Sequence, residues 1–505
     1  MHNLDPNPLS AALFSAFDAL PASKPLLSGH GKSYCVGEIK QAIAALVQRL
    51  HCQPGHVVGL LADNGPAWAW ADLATLQAGR VQLPLPAFFS DAQLRHALNR
   101  TQTDLVLTDQ AARIIALDLG FSIVDSGQGL TLLRRRADFT HVKAAIIPPG
   151  TVKISFTSGS TGQPKGVCLS ALGLLDTAQA IVAALADLPL AKHLAVLPLA
   201  LLLENVAGLY APLLRATEIV LPPLADLGWR GMGGFDARQL ARQVDVIQPN
   251  SLILLPELLK FWTLALQSEH RTAPACLQFV AVGGARCDVR LLTDARALGL
   301  PAYEGYGLTE CGSVVSLNRA GADQLGSVGQ PLSHIKIHIN AAGEILIKNR
   351  AFLGYLSEEA STPTVAPETF PSGDLAQIDQ NNFLTLSGRQ KNLLITSYGR
   401  NISPEWVEAA LLAAPEIAQA MALGDARPWL AALLVPMPGV EQAVLARAVA
   451  RINATLPEYA RINNWIQCKP FTAHDGLLTG NGRPIRSALM RRYATEIESI
   501  YLSKE

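Results

Sequence analysis

Between residues 157 and 167 the chain reads Thr-Ser-Gly-Ser-Thr-Gly-Gln-Pro-Lys-Gly-Val, which packs four hydroxyls, three glycines and one lysine into eleven residues. Glycines let backbone N–H groups close around an anion, hydroxyls add donors, and Lys165 adds a charge. The segment is therefore equipped to hold phosphate. A Walker A loop requires Gly-x-x-x-x-Gly-Lys-Ser/Thr, whereas Lys165 lies between Pro164 and Gly166, so that motif is excluded. An ordinary Ser/Gly connection is the plain alternative. Four later segments again combine small residues with single reactive groups. They are Val282-Gly283-Gly284-Ala285, Tyr303-Glu304-Gly305-Tyr306-Gly307-Leu308-Thr309-Glu310, Ser372-Gly373-Asp374-Leu375 and Gly388-Arg389-Gln390-Lys391. Taken singly, Tyr306 reads as a core tyrosine, Asp374 as a turn residue, and Gly283 and Gly284 as turn glycines.

These residues must be positioned by elements that alternate in type. Residues 57–61 read as a buried strand and 67–78 as a helix, with a short strand at 104–108. Residues 154–157 form a strand that feeds directly into the Ser/Gly loop, and a helix is expected over 174–188. Runs at 194–197, 218–221, 251–255 and 279–282 repeat the strand pattern. Such alternation predicts an α/β fold with largely buried sheets. After Gly326 the pattern changes. Residues 335–339 and 344–348 flank Asn340-Ala341-Ala342-Gly343, and 375–378 and 383–386 flank Asp379-Gln380-Asn381-Asn382, both hairpin signals. The expected architecture is a large N-terminal domain of layered α/β sheets over 1–388, its last part (about 326–388) a β-rich subdomain. A hinge at 389–391 and a small mobile α+β domain over 392–505 follow.

Composition excludes several classes. The 505 residues carry 41 Lys+Arg against 41 Asp+Glu, so there is no global field to attract nucleic acid or acidic lipid. Hydrophobic residues make up 49%, too many for a disordered chain. Seven cysteines without a Cys-x-x-Cys pair are neither a disulfide framework nor a zinc site, and they suit a reducing cytoplasm. The first ten residues lack the basic and apolar regions of a secretory signal. Residues 193–214 are the most apolar stretch, but Pro198, Glu204, Asn205 and Pro212 interrupt it, so a buried strand or helix is expected there and at most peripheral membrane association.

The five segments together resemble the adenylate-forming (AMP-binding) enzyme superfamily, which includes acyl-CoA synthetases, luciferases and peptide-synthetase adenylation domains. They occur in that family's order over residues 150–490. The resemblance implies an enzyme that uses ATP and Mg²⁺ to convert a carboxylic acid to an acyl-adenylate, releasing pyrophosphate, and then transfers the acyl group to a thiol. It assigns Thr157, Ser158, Gly159, Ser160, Thr161, Gly162 and Lys165 to the β- and γ-phosphates, and Gly283, Gly284 and Ala285 to adenine. Tyr306 is expected to stack on adenine beside Glu304, Gly305 and Gly307. Thr309 is expected at the α-phosphate, Glu310 at the metal, and Asp374 and Arg389 at the ribose hydroxyls. Lys391 marks the hinge, and Gly399 is expected to line a pantetheine channel. Residues 397–405 also read as a loop leading to a helix, with Ser403 as N-cap and Pro404 at the first helical position.

Two departures bear on chemistry. The family's C-terminal lysine, which bridges carboxylate and α-phosphate, is here Arg483. Arginine keeps the charge but is longer and forked, so the exchange is not conservative. Position 201, where many relatives carry an aromatic residue or His, is Leu, which suits an aliphatic acid and equally suits ordinary core packing. Residues 471–479 and 401–405 resemble the long-chain fatty acyl-CoA synthetase branch. Coenzyme A is the first expected acceptor. The alternatives are an acyl carrier protein with its phosphopantetheine, or a weakly adenylating nucleotide-binding relative.

Overall fold

A computed structural model describes residues 7–136, 139, 145–157, 165–230, 234–356, 366–479 and 483–502. Two large sheets organise the first two thirds of the chain. One has eight strands, with parallel Val57–Leu61, Val81–Pro84 and Leu105–Thr108 at its centre. Thr151–Thr157 joins Val81–Pro84 in parallel and turns back antiparallel through Lys165–Ser170. The other has nine strands, and its parallel middle runs through Ala302–Leu308, Phe279–Val282, Ser251–Leu254, Lys192–Leu194 and Glu218–Val220. Parallel strands need helical crossovers, so both faces become buried and the strands read as unbroken apolar runs. Every residue of Val57–Leu61 and Ser251–Leu254 is buried.

Helices fill the space between and outside the sheets. Pro66–Gln77 is apolar almost all round, with Pro66 at its first position, and is buried from Trp68 to Leu76. It shares one core with Pro8–Asp18 and Ala171–Ala184. Ala237–Ile247 is amphipathic instead, burying Ala237, Leu240, Ala241 and Val244 at helical spacing against the nine-stranded sheet. The apolar stretch 193–214 is a short strand, a buried connection, and then a π-helix, Glu204–Tyr210, running into Ala211–Leu214. Glu204 and Asn205 are both buried in it. Among the described residues no helix is long and apolar enough to cross a membrane.

The hairpins expected after residue 326 are present. Lys336–Ile339 pairs with Glu344–Lys348, and Phe370–Ile378 with Leu384–Arg389, in one four-stranded antiparallel sheet. One strand of this region leaves it. Phe352–Tyr355 adds to the edge of the eight-stranded sheet beside Lys165–Ser170, tying the two parts together. From Pro404 onward a three-stranded sheet, Ile417–Leu423, Leu430–Pro436 and Ile462–Gln467, carries Pro404–Leu412 and Gln442–Asn453 in one core, while Arg486–Arg492 and Ala494–Leu502 contribute to a second. Ser403 caps Pro404–Leu412 through its hydroxyl, which accepts from the Trp406 N–H at 3.4 Å.

Candidate active site

The cleft lies at the carboxyl ends of the parallel strands, where open α/β sheets hold their ligands. Phe279–Val282 ends at Gly283 and Gly284. Gly284 has φ +80°, a left-handed conformation that favours glycine. The neighbouring strand Ala302–Leu308 pairs in parallel up to Val282↔Glu304, then antiparallel with Ser313–Leu317 from Gly305 onward. This switch presents Gly305, Tyr306 and Gly307 to the cleft. A Cβ at position 307 would stand 1.9 Å from the Ser313 carbonyl oxygen, so the bulged pairing requires glycine there.

Asp374 and Arg389 face each other across the hairpin in direct register. Arg389 Nε donates to Asp374 Oδ1 at 2.8 Å, and the Tyr306 hydroxyl donates to Asp374 Oδ2 at 2.6 Å. Burial first, then the Asp374 charge, push the Tyr306 pKa well up, so the hydroxyl stays a donor. The structure thus joins Tyr306 to the pair Asp374 and Arg389, which the resemblance assigned together. Asp374 is 7% exposed, and its carboxylate is held by these two partners.

Thr309 and Glu310 begin a single 3-10 turn, Thr309–Cys311, directly after this strand. Tyr355 donates to Glu310 Oε1 at 2.7 Å, and Lys165 Nζ lies 5.7 Å from the centre of the Tyr355 ring. Tyr355 was not found from the sequence. Its contact depends on Phe352–Tyr355 crossing to the eight-stranded sheet, which no local pattern marks. Thr157 and Lys165 flank the phosphate-type loop. Ser158, Gly159, Ser160, Thr161 and Gly162 lie outside the described residues.

Two further groups shape the Gly283–Gly284 side of the cleft. The Glu304 side chain turns into the protein and accepts from the Cys287 N–H at 2.9 Å. Burial pushes its pKa up to about 7, partly opposed by that hydrogen bond and by Arg286. Arg286 donates to the Leu386 carbonyl at 3.0 Å, fastening the Gly283–Gly284 loop, with Ala285 at its end, to the hairpin.

From the small domain, the Arg483 guanidinium donates to the Gly284 carbonyl, reaching across to the glycine loop. Its backbone is fixed by Thr479, whose N–H and hydroxyl pair with the Arg483 carbonyl and N–H at 2.8 and 3.0 Å. Lys391 is exposed in the turn Gln390–Asn392 and lines the same cavity. Gly399 is exposed, with φ +73° and no atom within 4 Å of its Cβ position, and does not line the cavity.

That cavity has a volume of about 1530 Å³ and is continuous from Lys165, Glu310 and Asp374 to the interior. Its inner walls include Ile181, Leu185, Leu201, Ala207 and Ala211, which are apolar.

Comparisons with known proteins show what the chain is similar to. Residues 36–356 match the family described as AMP-binding enzyme, and residues 391–505 match the AMP-binding enzyme C-terminal domain. A long-chain-fatty-acid–CoA ligase, FadD15 of Mycobacterium bovis, is 26% identical, with 92% of this chain and 91% of the relative covered. A 2-succinylbenzoate–CoA ligase of Bacillus velezensis is 27% identical over 77% of this chain and 79% of the relative. Among solved structures, the anthranilate CoA ligase AuaEII in complex with anthranoyl-AMP superposes with a TM-score of 0.79 at 18% identity, covering 97% and 98% of the two chains. The O-succinylbenzoate coenzyme A synthetase of Bacillus subtilis in complex with AMP superposes with a TM-score of 0.74 at 20% identity, covering 94% and 97%.

Proposed function

The chain belongs to the AMP-binding enzyme family, as an adenylate-forming acid–thiol ligase, and from that premise we propose that it activates an aliphatic carboxylic acid with ATP and passes the acyl group to the thiol of coenzyme A. The reaction first joins two anions. A carboxylate oxygen attacks the α-phosphorus, the bond to pyrophosphate breaks, and an acyl-adenylate forms. A thiol then attacks the acyl carbon and AMP leaves. Charge neutralisation and in-line positioning carry most of such a barrier.

The observation that carries the reading is the convergence of Arg483 on Gly284, in the cavity that also holds Tyr306, Asp374 and Arg389. A cation delivered by the small domain to that point can neutralise both the carboxylate and the α-phosphate. Thr309 donates to the same phosphate, Lys165 meets the outer phosphates, and Asp374 with Arg389 receives the ribose. The donor set fits magnesium, because Glu310 supplies a carboxylate, and this ion takes its remaining oxygens from phosphates and water. When bound, the ion supplies further neutralisation of the polyphosphate. A swing of the small domain about 389–391 would carry Arg483 out and Gly399 in for the thiol step. The apolar inner walls support an aliphatic acid, as does the likeness to fatty-acid ligases.

ATP–pyrophosphate exchange with a panel of aliphatic, aromatic and short-chain acids tests this. Exchange is expected with aliphatic acids of medium or greater length, and Arg483→Ala should lose about a hundredfold. No exchange with any acid would overturn the activity, and equal exchange by the variant would overturn the role of Arg483.

A further inference from the structure

The cavity lining is not wholly apolar. It includes His193 and Ser251, neighbours in register on adjacent parallel strands and 3% and 6% exposed. His193 Nδ1 lies 3.0 Å from Ser251 Oγ, and His193 Nε2 lies 3.1 Å from Glu204 Oε1. The second Glu204 oxygen accepts from the Leu197 N–H at 3.2 Å. Glu204 opens the π-helix, a form often found at functional sites. Gly208 lets that helix descend onto the pair, since a Cβ there would stand 2.2 Å from Glu204 Oε1 and 2.9 Å from His193 Nε2.

Resting on the acid-activating reading above, we propose that Ser251 is a specificity-determining residue, and that the substrate is an aliphatic acid bearing a hydroxyl or keto oxygen near the tenth carbon. Both imidazole nitrogens and both Glu204 oxygens have partners, whereas a serine hydroxyl has one donor and two acceptor sites and uses one of them on His193. Ser251 itself lines the cavity, which is where a substrate oxygen could use the remaining capacity. The relay sets which capacity that is. With Glu204 ionised, His193 donates to it and accepts from Ser251, which leaves the serine oxygen to accept from a substrate hydroxyl. With Glu204 protonated, His193 donates to Ser251, and the serine O–H is released toward a substrate carbonyl. Burial, the first cause, raises the Glu204 pKa and brings the second arrangement into reach.

The position along the chain follows from strand register. Ser251 pairs with Phe279, and the strand runs from there through Val282 to Gly283 beside the Arg483 contact. The four steps from Phe279 to Gly283 span about 13 Å. An extended alkyl chain with carbon–carbon bonds of about 1.5 Å covers that with about ten carbons.

The test compares kcat/KM in pyrophosphate exchange for decanoic, 10-hydroxydecanoic and 9-oxodecanoic acids. Wild type is expected to favour the oxygenated acids about tenfold, the worth of one hydrogen bond in a desolvated site. Ser251→Ala should bring the three acids to a common value, through KM for the oxygenated pair. Ser251→Thr, which keeps the hydroxyl, should retain the preference. Equal kcat/KM for all three acids in wild type overturns the proposal and leaves acid activation standing, whatever the variants do. A preference that survives Ser251→Ala overturns the assignment to this residue. No exchange with any acid overturns the underlying reading.

Discussion

The Glu304 carboxyl is buried against the Cys287 N–H, with a pKa pushed up to about 7 from the ordinary 4.5. Between those values the folded chain holds a proton that the unfolded chain has lost. The stability this residue contributes is therefore full below pH 4.5 and falls as pH rises through 7. Glu304→Gln, which cannot ionise, should flatten that fall and raise stability above neutrality by up to about 3 kcal/mol. Tm measured at about pH 5 and about pH 8 checks it, and parallel profiles for wild type and variant would refute the assignment. At this scale the grouping of Gly283, Gly284, Tyr306, Thr309, Glu310, Asp374 and Arg389 around one cavity was legible, because they occur in ordered segments. The bond from Tyr306 to Asp374 was not. The two are 68 residues apart, and no local pattern says that one hydroxyl meets the other carboxylate.

Among the elements, the strand Thr151–Thr157 and the π-helix Glu204–Tyr210 are joined by a group that the sequence conceals. Lys153 is fully buried, its Nζ 3.2 Å from Asp72 Oδ1 and 2.8 Å from the Tyr210 hydroxyl. Tyr210 in turn donates to Asp72 Oδ2 at 2.6 Å, and Asn205 Nδ2 donates to Asp72 Oδ1 at 3.2 Å. The network fastens the eight-stranded sheet to helix Pro66–Gln77 and to the π-helix that carries Glu204. A lysine in a strand reads as solvent-facing, and its partner lies 81 residues earlier, so neither periodicity nor spacing exposes the pair. By contrast, the helices expected over 67–78 and 174–188, observed at Pro66–Gln77 and Ala171–Ala184, and both late hairpins were legible, because their signal is local. Removing one charge of a buried pair leaves the other unpaired, and Lys153→Met should cost roughly 3–5 kcal/mol. The double change Lys153→Met with Asp72→Leu should recover much of that loss, because no lone charge remains. Urea unfolding distinguishes the cases, and equal destabilisation by single and double variants would show that the network acts through packing alone.

Across the whole molecule, the two parts of the chain meet at more than Arg483. Lys260, in helix Pro256–Ser268, is 5% exposed and donates through Nζ to the Ile417 carbonyl of the small domain at 2.7 Å. Burial lowers its pKa to about 8, while Glu257 and Glu416 oppose the shift. In an arrangement where the proposed swing exposes this lysine, it regains its ordinary value of 10.5. Between about pH 8 and 10.5 the swung-out arrangement then holds more protons than the docked one. Docking should strengthen as pH rises through that window and change little below it. The neutral amine still donates to Ile417, so the contact survives the loss of charge. Lys260→Met has no proton to exchange, and its docked fraction should be flat over the same range. Interdomain fluorescence transfer against pH reads the docked fraction directly. A wild-type profile that is flat, or that falls with rising pH, would remove Lys260 from the control of docking. A rise that the variant abolishes would give the docked arrangement a second anchor, far in sequence from Arg483.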